Sequence, residues 1–150
     1  MTGPPLVPAD FDVPNPPDHP LFRFEPLGPE HNAADLEAWS SSIDHIHATP
    51  DFRPDGWPER RYTLAENLAD LGKHRDRHQR RIDFAWTVLD PADADVVIGC
   101  VYLRPDPTGV ADAEARSWVR VDRAGLDPDL RDHLKPWFHG NWPLSIRYAS

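Results

Sequence analysis

The sequence has little cysteine and no long apolar run. Only one of its 150 residues is cysteine. Cys100 therefore has no partner for an internal disulfide or a multi-cysteine zinc site, and this usage is typical of the reducing cytoplasm. The longest apolar run, Val96 to Leu103, is far shorter than the roughly 20 residues of a transmembrane helix. The sequence has no basic first segment followed by an apolar run, which is the pattern of a secretory signal peptide. These absences predict a cytoplasmic protein with no membrane span.

Positive charge is also scarce. The chain has 16 Lys and Arg against 25 Asp and Glu, which gives a net charge of −9. This balance argues against a nucleic-acid partner, which requires clustered basic residues, and against docking on an anionic membrane. The length suits a single domain with a sizeable core.

Proline is abundant and unevenly placed. There are 18 prolines, and half of them precede residue 30. Such a stretch cannot propagate a helix or donate regularly to a sheet, so residues 1–20 are predicted to form an extended arm before a domain over residues 21–150. Phe11 and Val13 could pin this arm to the domain, and a loose tail fits the sequence equally well.

The remaining pattern predicts strands, helices and one long loop in a defined order. Strands are expected over residues 21–25, 82–89, 96–103, 113–121 and 144–148, and helices over residues 30–42 and 64–80 and from residue 127, with a loop over residues 44–58. Thr63 and Glu66 form a capping-box pattern, and the helix after them has Leu64, Leu68 and Leu71 as its apolar stripe. The last helix should kink or stop near Pro136. The order indicates an α+β (mixed α/β layered) domain whose final strand lies parallel to its predecessor.

Two segments carry a resemblance to a known family. The apolar strand over residues 84–90, which ends in Asp90, and the Ile98-Gly99 strand after it are similar to the central hairpin of the GNAT (N-acetyltransferase) superfamily. The segment from Glu114 to Val121 resembles the next strand of that family, which lies along the pantetheine arm of the cofactor. Residues 21–148 as a whole resemble small bacterial members with a degenerate acetyl-CoA motif.

The resemblance implies a GNAT-like acyl-CoA N-acyltransferase fold, shortened at the C-terminus, with acetyl-CoA as cofactor. Its implied activity is transfer of an acetyl or acyl group to the amine of a small molecule or protein. The implied cofactor-binding residues are Trp118, Val119, Arg120, Arg123, Ala124 and Gly125. Glu114 is the implied base and Tyr148 the implied proton donor. For Glu114, the alternative interpretation is a solvated or ion-paired strand residue.

The turn after the third central strand departs from the family pattern. Gly125 is its only glycine, Asp122 and Asp129 add negative charge, and Asp127 is expected to cap the following helix in the place of a phosphate. This turn is unfavourable for a pyrophosphate. A second function therefore stays open, a non-catalytic GNAT-like module that binds a small ligand or a partner protein. The shortened sheet also leaves an edge that a second copy of the chain could cover as a homodimer.

Histidines and tryptophans supply the remaining candidates. His45 and His47 lie on one side of a segment predicted to be extended, near Trp57, and the three are candidates for a substrate-pocket wall, with loop packing as the alternative. Two imidazoles without a third ligand do not make a zinc site, so no metal is expected. His74 and His78 are predicted to lie on a solvated helix face, and Cys100 is predicted to be a buried, unreactive side chain.

Overall fold

Five strands form a single mixed sheet. The computed structural model describes residues 3–148. The strands lie in the order β1-β2-β3-β4-β5, with antiparallel pairing from β1 to β4 and parallel pairing of β5 with β4. The parallel final strand confirms the prediction from the right-handed crossover. The strands are β1 (Arg23–Pro26), β2 (Phe84–Asp90), β3 (Asp93–Pro105), β4 (Ala113–Val119) and β5 (Ile146–Tyr148), and the helices are α1 (Asn32–Ser40), α2 (Ile43–His47), α3 (Leu64–Gln79) and α4 (Asp127–Asn141).

Helices cover both faces of the sheet and divide the core in two. On one face, α4 packs Leu130, Leu134 and Phe138 against apolar side chains of the strands. On the other face, α1 and α3 contribute Leu36, Trp39 and Leu71 to a second cluster. Successive strand residues point to opposite faces, so each central strand supplies both clusters. Cys100 is fully buried in the second cluster, as its apolar strand predicts.

The proline-rich arm lies against the domain over its described residues. Val7 is buried, and Phe11 and Val13 pack on the α4 side of the core. The indole Nε1 of Trp86 donates a hydrogen bond to Asn15 Oδ1 at 3.0 Å. Of the two alternatives for this segment, the structure has the pinned one.

Helix α3 begins as predicted but buries a different face. The Glu66 amide donates to Thr63 Oγ1 at 3.1 Å, and the Thr63 amide donates to Glu66 Oε1 at 2.9 Å, which confirms the capping box. The predicted apolar stripe is wrong, because Leu64 and Leu68 are 55% and 46% exposed. The buried face instead centres on Asn67, whose side chain bonds to residues of α1 and orients the helix.

Helix α4 continues through Pro136 to Asn141, so of the two predicted outcomes at this proline, a kink or a stop, the stop is wrong. Proline removes one backbone donor from the helix. The side chains on either side of it, Leu134, Trp137 and Phe138, are buried in the core. Packing of this turn against the sheet therefore outweighs the lost hydrogen bond.

Candidate functional site

Strand β4 positions the residues that the family resemblance assigns to the cofactor. It pairs with β5 only from Ala113 to Ala115. Beyond this point, Trp118 and Val119 are fully buried in the two opposite clusters. Trp118 Nε1 donates to the Tyr102 hydroxyl at 3.0 Å. Both side chains are therefore structural, and only the backbone of this stretch could face a cofactor.

Glu114 and Tyr148 lie on opposite faces of the sheet. The buried Glu114 carboxylate accepts from Arg104 Nε at 2.8 Å and from Arg147. The Tyr148 hydroxyl forms a hydrogen bond with the Ser117 hydroxyl, and burial raises the pKa of Tyr148 to about 12. Tyr148 is thus a protonated phenol at neutral pH. The two implied catalytic groups are not brought together.

Arg131 of α4 occupies the outer edge of β4 beyond the end of β5. This buried guanidinium donates through Nε to Asp127 Oδ2 at 2.9 Å and through a terminal nitrogen to the Ser117 carbonyl at 3.4 Å. It also lies over the Tyr148 ring, 5.4 Å from its centroid. Beyond the end of β5, the outer edge of β4 is therefore covered by a charged side chain of the protein itself.

The turn between β4 and α4 holds its arginines in ion pairs. Arg120 donates to both carboxylate oxygens of Glu37 at 2.9 Å and to Asp122 at 2.6 Å. Arg123 donates through two nitrogens to Asp90 Oδ2 at 3.2 Å. Ala124 and Gly125 lie exposed in the short 3-10 segment that follows.

The expected cap of α4 by Asp127 is wrong. The cap position belongs to Leu126, and no side chain accepts a capping hydrogen bond there. Because the 3-10 segment leads directly into α4, Asp127 is already helical, and its carboxylate points to Arg131 one turn later. The carboxylate of Asp127 therefore does not fill a phosphate position at the helix end.

The predicted histidine pair is not a pair. His45 and His47 lie in the short helix α2 instead of an extended segment, so their side chains point in different directions. His47 Nε2 contacts the Gly56 carbonyl at 3.3 Å. Trp57 lines a cavity, where its ring packs 5.3 Å from Trp39.

That cavity has a volume of about 130 Å³ and lies between α1, α3, β3, β4 and the Trp57 loop. We call it the aromatic–acidic cavity. Its walls combine aromatic rings with ionisable groups, and the lining residues are Leu27, Asp35, Trp39, Trp57, Asp70, Leu71, His74, Tyr102 and Arg116. A concave pocket lined by apolar and aromatic side chains with a few convergent polar groups is the usual form of a small-molecule site.

The acidic side of the cavity is formed by α1 and α3. Asp35 is only 4% exposed and accepts a hydrogen bond from Asn67 at 3.2 Å. Burial raises its pKa from 3.8 to about 6, against the opposing effect of the Asn67 hydrogen bond. Asp70 lies one turn before His74 on α3, with 3.6 Å between its carboxylate and His74 Nε2. Burial acts to raise the pKa of Asp70, but the bond and charge of His74 turn the net shift downward.

The basic side is formed by Arg116 of β4. Its guanidinium lies over the Phe52 ring at 4.7 Å and the Tyr102 ring at 5.5 Å. Its buried Nε has no hydrogen-bond partner within residues 3–148. Burial lowers the pKa of this guanidinium. A neighbouring cavity of about 240 Å³ shares His74, Tyr102 and Arg116 and adds the basic side chains of Arg77 and Arg104.

Sequence reasoning missed this cavity. His74 and His78 are not on a solvated face, since His74 lines the cavity and His78 packs edge-on against Trp86 at 5.4 Å. Asp35 precedes Trp39, and Asp70 precedes His74, by four residues in helical segments. That spacing places each pair on one side of its helix. It is the feature of the sequence that could have indicated a shared cavity wall.

Residues 3–148 contain no group of three or more His, Cys, Asp or Glu arranged to hold a metal ion. Among the same residues, no helix combines the length and apolar character needed to cross a bilayer.

No family model matches the sequence, and no curated protein matches it either. Solved structures do match the fold. The ribosomal-protein-S5-alanine acetyltransferase from Vibrio fischeri aligns with a TM-score of 0.63 and 12% identity over 85% of this chain. The chain has the fold of the GNAT acetyltransferases. A ribosomal L7/L12 N-terminal acetyltransferase in complex with coenzyme A aligns with a TM-score of 0.59 and 14% identity over 81% of this chain and 67% of that one.

A third GNAT structure agrees with these two. The acetyltransferase from Salmonella typhimurium that modifies the N-terminal serine of ribosomal protein L7/L12 has a TM-score of 0.57 and 11% identity, over 85% of this chain and 70% of that one. The present chain spans 66% of the length of the Vibrio fischeri enzyme. In this GNAT fold, the aromatic–acidic cavity lies on the α1–α3 face of β4, and α4 covers the opposite face.

Proposed function

We propose that this chain is an N-acyltransferase that transfers an acyl group from an acyl-CoA to the amine of a small molecule. The observation that carries the proposal is the aromatic–acidic cavity, which lies beside β4 in a GNAT fold. Its small volume favours a small-molecule amine over a folded protein, of which at most a terminal group would enter. The fold shared with acetyltransferases supports the reaction class.

The chemistry requires a neutral amine and a group that takes its proton. In the transfer, the amine nitrogen forms a bond to the thioester carbonyl carbon, the carbon–sulfur bond breaks, and the amine loses a proton while the thiolate gains one. His74 lines the cavity, with its Nε2 3.6 Å from the Asp70 carboxylate and its Nδ1 3.2 Å from a terminal nitrogen of Arg77, so it would accept the amine proton only after Arg77 moves away from Nδ1. Glu114 is less suited, because Arg104 and Arg147 both hold its carboxylate.

The residues of the turn fit the cofactor only in part. Arg123 lies in the turn that the family resemblance assigns to the pyrophosphate, and Arg120 ends the strand before it, but the guanidinium groups of both are held by carboxylates. An exposed ion pair is worth about 0–1 kcal/mol, so a doubly charged diphosphate could displace Asp90 from Arg123, whose side chain is 36% exposed. Arg131 is the greater obstacle to cofactor binding along β4, because this buried side chain donates a hydrogen bond to the Ser117 carbonyl of that strand.

This obstacle favours a second candidate function, ligand binding without acyl transfer. The arginines of the turn would then stabilise the structure, and the cavity alone would be the working site. The two candidates make different predictions for coenzyme A.

Calorimetric titration with acetyl-CoA and with coenzyme A separates them. If the first proposal holds, Asp90→Asn tightens binding because it frees Arg123, and Arg123→Gln weakens binding about tenfold, the value of a lost charged hydrogen bond. Arg53→Gln is the matched control, since Arg53 forms a similar surface pair with Asp55 away from this turn. Absence of coenzyme A binding to the unmodified chain and to Asp90→Asn would overturn the acyltransferase proposal in favour of the second candidate.

A further inference from the structure

Arg116 has unused hydrogen-bonding capacity at a cavity wall. Within residues 3–148, its guanidinium makes no salt bridge within 4.0 Å, and its Nε lacks any acceptor. The nearby carboxylate of Glu114 is bound by Arg104 and Arg147, and that of Asp51 lies 3.5 Å from Arg147. A guanidinium presents five donors in a planar fork that matches a carboxylate, so the open donors of Arg116 suit an anionic group.

Asp35 carries the opposite charge to Arg116, and like Arg116 it has no oppositely charged partner within salt-bridge distance in the described residues. In the described part of the chain, no Lys, Arg or His lies within 4.0 Å of this buried carboxylate, and its bond from the neutral Asn67 amide is the polar contact that holds it. A buried carboxylate without a cation is costly. An ammonium group placed against Asp35 would remove that cost.

These two charges line one cavity without forming a salt bridge to each other. The rings of Trp39, Trp57 and Tyr102 also line it, and aromatic faces attract organic cations. A water needs about 10–15 Å³ of such space, so a cavity of about 130 Å³ holds several waters or a compact organic molecule. Size and charge together point to a short ligand with one positive and one negative end.

We infer that the aromatic–acidic cavity binds a small amino-acid-like zwitterion, with its ammonium group at Asp35 and its carboxylate at Arg116. That the zwitterion is the acyl acceptor rests on the proposed function, whereas the binding of the zwitterion to the cavity does not. An amine that lacks the carboxylate would leave the donors of Arg116 unused, and an acid that lacks the amine would leave Asp35 unpaired.

Titration without any coenzyme A tests the inference. The probes are glycine, β-alanine and γ-aminobutyrate, with propylamine and propanoate as singly charged controls. The signal is the intrinsic tryptophan fluorescence, to which Trp39 and Trp57 of the cavity contribute, and it is confirmed by calorimetry. We expect one of the zwitterions to bind at least about tenfold more tightly than either control, the difference of one charge-assisted hydrogen bond.

Variants assign the two ends of the ligand. Asp35→Asn should remove the advantage of the zwitterion over propanoate, and Arg116→Gln its advantage over propylamine, while Arg53→Gln leaves both unchanged. Equal affinity of zwitterions and controls for the unmodified chain, or no binding of any zwitterion at 10 mM (about 3 kcal/mol of affinity), would overturn the inference without reference to the variants. Zwitterion binding without coenzyme A binding would refute the acyltransferase proposal alone, and acyl transfer to propylamine with no zwitterion preference would refute the inference alone.

Discussion

Replacement of Asp35 by asparagine should change how the stability of this protein depends on pH. Asp35 is the most buried carboxylate of the aromatic–acidic cavity, and burial raises its pKa from 3.8 to about 6. Well below pH 3.8 the group is neutral in both folded and unfolded chains. As pH rises from about 3.8 to about 6, the unfolded chain ionises while Asp35 in the folded chain stays protonated, so the folded state loses stability, and the loss levels off above pH 6.

The size of this effect follows from the two pKa values. Their separation corresponds to at most about 3 kcal/mol, and integration between pH 4 and pH 7.5 gives about 2 kcal/mol. Asp35→Asn keeps the shape of the side chain and an oxygen that accepts the hydrogen bond from Asn67, but it removes the ionisable carboxyl group. The free energy of unfolding of Asp35→Asn minus that of the unmodified chain should therefore increase by about 2 kcal/mol over this interval.

Urea unfolding followed by tryptophan fluorescence measures this difference at several pH values. The neighbouring charges that act on Asp35, those of His74, Asp70 and His31, are present in both proteins and largely cancel in the comparison. Glu66→Gln is the control, because the hydrogen bond from Arg60 and the capping bond to Thr63 lower the pKa of Glu66 to about 2. Its stabilising effect is lost only as pH falls below 4.5, the opposite direction. A difference for Asp35→Asn that stays constant from pH 4 to pH 7.5 would refute the reasoning.

Two further predictions concern the framework of the site. Gly99→Ala should destabilise the protein by about 1–3 kcal/mol, because an added Cβ would lie 2.0 Å from the Trp118 carbonyl oxygen of β4. Gly72→Ala, in α3 with open space around it, should instead stabilise by up to about 1 kcal/mol, and a loss of stability equal to that of Gly99→Ala would contradict the packing argument. Thr63→Ala should cost about 1 kcal/mol by removal of the capping bond to Glu66, measured by thermal unfolding, and Thr63→Ser should retain most of it. An unchanged midpoint for Thr63→Ala would show that the cap does not stabilise α3.

Much of the fold could be predicted because its signals are local. The apolar strands around Gly99, the capping box at Thr63 and the crossover before β5 each depend on residues close in sequence. The predictions that are wrong concern features set by contacts between residues far apart in sequence. Leu64 and Leu68 form a regular apolar row, but bonds from Asn67 to α1 turned α3 so that this row faces solvent.

The candidate site shows the same division more sharply. The sequence predicts Trp57 as a pocket residue, but the partners that make the cavity come from four other elements and from Leu27. Two of them, Leu27 and Arg116, are 89 residues apart. His74 was assigned to a solvated face, because its basic neighbours in sequence hide the contact of its ring with Tyr102 at 6.0 Å. The sequence shows that the turn around Arg123 is rich in carboxylates. The carboxylate that binds Arg123 is nevertheless that of Asp90, which lies at the end of β2 and not in the turn.

By itself, the sequence determined the order of the five strands and of helices α1, α3 and α4, the acidic character and the resemblance to the GNAT fold. These properties depend on short-range periodicity, turn chemistry and composition. The tertiary structure alone decided which charges are compensated, with Arg120, Arg123 and Glu114 held in ion pairs while Asp35 and Arg116 face a shared cavity. Burial and long-range pairing set the electrostatics of a site, and neither is encoded in the spacing of neighbouring residues.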